Sequence, residues 1–98
     1  MASTTDYLYF VLDLLNEVSD ITYKKMMGEY VLYKNNIVFG GIYDDRFLVK
    51  NTKSLKEYNL KEIVPYPGAK PMLLIDSEDS SEIKLIVEKV YFDLTNKN

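Results

Sequence analysis

Asp44-Asp45-Arg46 sets two adjacent carboxylates beside the chain's only arginine, and such a trio can hold a hard cation or grip an anion. The same acidic pair suits a tight turn, because aspartate accepts hydrogen bonds from nearby backbone and tolerates positive φ, and this simpler reading is preferred. Gly40-Gly41 does not stand between a strand and a helix, as a phosphate-binding loop would. Inside an alternating segment it marks a bulge or the close approach of a helix. Lys70, bounded by prolines, offers a flexible point charge either to an anion or to water. Glu29, Glu57 and Glu62 find no partner at catalytic spacing. There is neither Cys nor His, which removes thiol nucleophiles, disulfides, Cys/His zinc sites and imidazole acid–base chemistry. With no nucleophile or base to name, the sequence predicts a protein that is not an enzyme and uses no metal or cofactor.

The elements that must position these residues are legible in the spacing of apolar side chains. Over residues 5–19, Tyr7, Leu8, Val11, Leu14, Leu15 and Val18 recur at helical intervals, with Ser3, Thr4 or Thr5 available as the cap. A second helix closes the chain with Ile83, Ile86, Val87, Val90, Tyr91 and Leu94 on one stripe, and Asp79 followed by Glu82 resembles a capping box. Leu85 and Phe92 lie off that stripe. Between the helices the period falls to two, over 23–27, 29–34, 37–43 and 46–50, which reads as an antiparallel meander. The charged stretch 51–60 suits a small helix around Leu55 and Tyr58. The three prolines of 65–71 mark a loop flanked by edge pairing at 62–64 and a last strand at 72–75.

If Asn35-Asn36 and Asp44-Asp45 are two-residue hairpin turns, counting outward fixes a register. It sends Val31, Tyr33, Val38, Gly40, Ile42, Phe47 and Val49 toward the helices, and Tyr30, Leu32, Lys34, Phe39, Gly41, Tyr43, Arg46, Leu48 and Lys50 to the opposite, exposed face. The fold class is therefore α+β: two layers, an antiparallel sheet of a meander plus later strands, with the N- and C-terminal helices on one face. At 98 residues and 47% hydrophobic, the chain predicts a single domain over 1–98.

Net charge is −3, but residues 1–20 carry −4, 21–70 carry +4 and 71–98 carry −3. Tyr30, Phe39 and Tyr43 on the expected outer face, with Lys34, Arg46, Lys50 and the loop residue Lys70, are types that stack bases and neutralise phosphates. They are equally types that make a protein interface. The acidic total favours a protein partner or self-association, including a homodimer through Leu85 and Phe92 or through Leu32, Phe39 and Leu48. Nucleic acid is the less favoured alternative, and an RNA-recognition motif is disfavoured because it begins with a strand. No membrane partner is expected: no apolar run reaches the length of a span and no secretory signal opens the chain, so the expected compartment is the cytoplasm.

Three ordered blocks carry a resemblance: Tyr23-Lys24-Lys25-Met26-Met27-Gly28-Glu29-Tyr30 with Tyr33; Gly40-Gly41-Ile42-Tyr43-Asp44-Asp45-Arg46-Phe47-Leu48-Val49-Lys50; and Tyr66-Pro67-Gly68-Ala69-Lys70-Pro71-Met72. Their order and spacing resemble the N-terminal domain of the TfoX/Sxy family, a bacterial group named for regulators of natural competence. The resemblance implies a two-layer α+β domain similar in topology to secretion chaperones, with no known catalytic residue. Met27 stands where much of the family has Phe, and Leu73-Leu74-Ile75-Asp76 replaces the aromatic pattern that often follows the last loop. No counterpart of the separate C-terminal domain of competence regulators is found in the chain, so the resemblance implies a stand-alone N-terminal domain acting as a binding or regulatory module.

Overall fold

The computed structural model describes residues 2–96. Helix α1 (Thr5–Leu14) leads into strands β1 (Ile21–Met26), β2 (Glu29–Lys34), β3 (Ile37–Ile42) and β4 (Phe47–Lys50). A 3₁₀ helix (Lys53–Tyr58), β5 (Glu62–Ile63), β6 (Met72–Leu74) and α2 (Ser80–Thr95) follow. The six strands form one antiparallel sheet in the order β1-β2-β3-β4-β6-β5. The architecture is α+β, as the sequence predicts.

Thr4 caps α1, its Oγ1 accepting from the Tyr7 N–H at 3.1 Å. The helix stops at Leu14, earlier than the 5–19 periodicity suggests, where the Asn16 side chain donates to the Asp13 carbonyl at 2.6 Å and so competes for helical hydrogen bonding. Leu15 and Val18 remain buried in the turns that follow. At α2, Asp79 accepts from the Ser81 and Glu82 N–H groups. The reciprocal half of the expected capping box is replaced, since the Asp79 N–H donates to Ser77 Oγ at 3.1 Å.

Three hairpins turn on residue pairs that both have positive φ: Met27-Gly28, Asn35-Asn36 and Asp44-Asp45. That is the requirement of the type I′ turn, whose twist matches the flanking strands. The register expected from Asp44-Asp45 holds, with Ile42 opposite Phe47, Gly41 opposite Leu48 and Gly40 opposite Val49. The register expected from Asn35-Asn36 holds for only two pairs. After Tyr33 opposite Val38, the next pair is Leu32 with Gly40, so Phe39 is an extra residue on β3. One inserted residue reverses a period-two pattern. The expected placement of Val31, Tyr33 and Val38 toward the helices is thereby corrected: Tyr30, Leu32, Lys34 and Phe39 face the helices instead.

The core lies between that side of the sheet and both helices. It joins Leu8, Val11 and Leu15 to Ile83, Ile86, Val87 and Val90 over Leu32, Phe39, Ile42, Phe47 and Val49. Burying each such side chain stabilises the fold by about 1.5–3 kcal/mol. Neither helix is long and apolar enough to cross a membrane.

Candidate interaction surface

The opposite face of the sheet is built by Val31, Tyr33, Val38, Gly41, Tyr43, Leu48 and Lys50, which follow from the pairings on either side of the bulge. Gly41 is needed there, because a Cβ would come within 2.6 Å of the Tyr43 ring and 2.7 Å of the Tyr30 carbonyl oxygen. The Tyr43 ring thus lies over bare backbone. It meets Tyr66, from the proline-rich loop, at a centroid distance of 6.1 Å and a tilt of 47°.

These two rings stand between two adjoining hollows. One, of about 590 Å³, is lined by Ala2, Met26, Met27, Glu29, Val31, Tyr43 and Tyr66. The other, of about 460 Å³, runs from Val38 and Gly40 past Tyr43 and Tyr66 to Lys50, Asn51, Lys70, Pro71 and Met72. Met27 is fully exposed, Met26 is 54% exposed and Tyr66 57% exposed. Burial, then the neighbouring Tyr66 and the Glu29 carboxylate, push the Tyr43 hydroxyl above the ordinary phenol value. It stays protonated at neutral pH and is a hydrogen-bond donor rather than a base.

The carboxylates of Glu29 and Asp45 are held by the fold. Glu29 Oε1 accepts from Ser3 Oγ at 2.6 Å, and both Glu29 oxygens accept from the Asp44 N–H at 3.2 Å. Asp45 Oδ1 accepts from the Thr4 N–H at 2.8 Å. The acidic pair is a turn tied to the start of α1. On the other layer, Asp93 accepts from the Ser54 N–H and Oγ at 2.8 and 2.6 Å, and those bonds hold its carboxyl below the usual aspartate value.

Of the residues expected on an exposed face, Tyr43, Lys50 and Lys70 come together around the second hollow. Tyr30 and Phe39 are buried in the core, which corrects their placement; the physical reason is the bulge at Phe39. Lys34 is also buried on the helix side, where its ammonium donates to the Ser19 carbonyl at 3.0 Å. Arg46 is half-buried, donates from Nε to the Tyr43 carbonyl at 3.2 Å, and lines a different depression with Tyr7, Phe10 and Glu78. Leu32, Phe39 and Leu48 are fully buried, so they supply no exposed patch for self-association. Sequence reasoning missed Tyr66, Met26, Met27 and Val31 as parts of the surface. The signal for Tyr66 was an aromatic residue inside a proline-rich loop, which is costly to leave without a packing partner.

Two comparisons bear on this arrangement. An uncharacterized 12.7 kDa protein in the trpE 5′ region of Spirochaeta aurantia is 36% identical over 78 residues, which cover 78% of this chain and 68% of that protein. The sequence profile of the TfoX N-terminal domain matches residues 13–72. That span runs from the end of α1 to the start of β6 and contains β1 to β5 together with Tyr43, Lys50, Tyr66 and Lys70. The chain belongs to the TfoX N-terminal domain family.

Proposed function

We propose that the chain is a non-enzymatic regulatory module, of the kind found in competence regulators, that binds a protein partner through the face of the sheet turned away from the helices. The observation that carries this reading is the pair of adjoining hollows on either side of Tyr43 and Tyr66, with Met26 and Met27 exposed at one end. Methionine adapts its shape to a partner, and aromatic rings give large contact area at small entropic cost. Family membership supports the regulatory part, while the hydrogen-bonded carboxylates of Glu29 and Asp45 support the absence of catalysis. Direct nucleic-acid binding is the weaker reading, since Tyr30, Lys34 and Phe39, which would have stacked bases and met phosphates, are buried.

Affinity capture from the native host tests the reading with Tyr66→Ala and Met27→Asn, both at exposed positions. Asparagine suits the positive φ of residue 27 while removing its apolar surface. A partner held by the native chain and lost by these variants is the expected result. A partner that they retain, and that Leu85→Ser with Phe92→Ser releases, would move the interface to α2.

A further inference from the structure

We propose that the segment received by this face is an acidic peptide stretch of the partner, with an apolar side chain beside its carboxylates; the inference rests on the open-face reading above. Lys50, at the end of β4, and Lys70, on the proline-rich loop, line one hollow, and no aspartate or glutamate lines it with them. Among the described residues the ion pairs are Lys34 with Glu88 and Lys89 with Glu57, so neither Lys50 nor Lys70 is neutralised by one. Asn51 on the same rim donates to Glu62 at 3.3 Å. Two unpaired ammonium groups beside two tyrosine rings attract a carboxylate.

The neighbouring hollow has the opposite character. Its carboxylate, Glu29, is taken up by Ser3 and by the Asp44 backbone, and the rest of the lining is Met26, Met27, Val31 and the shared tyrosines. An aliphatic or aromatic side chain fits there. Phosphates would not, since Glu29 and the adjacent Asp44-Asp45 turn would repel a continuous backbone of negative charge.

Phage selection of short random peptides on the full chain, followed by fluorescence-anisotropy titration of a selected peptide, tests this. The expected peptides pair Asp or Glu with Leu, Ile, Met or Phe. Their affinity should fall roughly tenfold or more in Lys50→Glu with Lys70→Glu, and should weaken as salt rises. Both lysines are exposed, and a native-like NMR spectrum of the double variant establishes that it folds. Selection on that variant should yield basic peptides. Peptides without acidic bias, indifferent to the charge reversal yet lost in Tyr66→Ala, would overturn the acidic partner and leave the open-face reading standing. Peptides unaffected by Tyr66→Ala and Met27→Asn would overturn the open-face reading itself. Displacement of a selected peptide by a single-stranded oligonucleotide at physiological salt would overturn the choice of protein over nucleic acid.

Discussion

The ammonium of Lys34 sits 5.2 Å from the centre of the Tyr91 ring, deep enough that the lysine is only 6% exposed. The Ser19 carbonyl takes a hydrogen bond from it at 3.0 Å, whereas Glu88 stands at 3.9 Å with 43% of its own side chain exposed. One cation thus ties the end of β2 to the turn before β1 and to α2. Lys34 fastens the two layers together.

The carbonyl bond and the ring contact carry most of that stabilisation, because a half-exposed ion pair is screened. Lys34→Ala should cost about 2–3 kcal/mol, through lost packing and a stranded Ser19 carbonyl. Glu88→Gln should cost under about 1 kcal/mol. Urea unfolding of both variants checks the ranking, and equal losses would mean that the ion pair matters more than its geometry implies.

Phe39→Ala should destabilise the protein by about 3–5 kcal/mol, as expected for a large side chain removed from a packed core. Val38→Ala, one residue away on the open face, should cost under about 1 kcal/mol. Chemical denaturation of the pair reads the bulge directly: were the strands in simple two-residue-turn register, Val38 would be the costly position and Phe39 the cheap one.

That contrast also shows where the sequence was informative. Helical spacing, turn-forming Asn35-Asn36 and Asp44-Asp45, and the prolines of 65–71 each state a local preference that tertiary packing did not overrule, so the elements and the β3–β4 register were legible. The bulge was signalled by Gly40-Gly41 but could not be counted, because alternation looks equally good on either side of one inserted residue. Tyr30, Lys34 and Phe39 then changed faces together. Tyr43, Lys50 and Lys70 kept theirs: the first two are registered through the β3–β4 turn, downstream of the slip, and Lys70 lies on the loop. The place of Tyr66 on the surface was not legible because its contact with Tyr43 is non-local.

The low carboxyl value of Asp93 makes a pH prediction with a definite sign. Its hydrogen bonds from Ser54 favour the charged form in the folded state, so they add stability above the ordinary aspartate value of about 4. That contribution is lost as pH falls through the depressed folded value. The native chain should therefore outlast Asp93→Asn in thermal unfolding near neutral pH, and the gap should close in acid. A carbon-detected NMR titration of Asp93 should place its midpoint below the ordinary aspartate value.

Leu85 and Phe92 remain exposed at 58% and 61%, two turns apart on the same helix. A second copy of α2 laid antiparallel across a twofold axis would cover both at once, since each residue would meet its counterpart's neighbour. The patch is small against the roughly 1,000 Å² that a stable interface buries, so the pairing should be weak. Sedimentation velocity should show monomer at low micromolar concentration and a rapidly reversible dimer at higher concentration. Leu85→Ser with Phe92→Ser should abolish the dimer without affecting stability, because neither side chain belongs to the core. If the dimer survives these changes but dissociates in Tyr66→Ala, the copies meet through the open face instead. An acidic peptide would then compete with self-association, and dimer and peptide complex would exclude one another in the same titration.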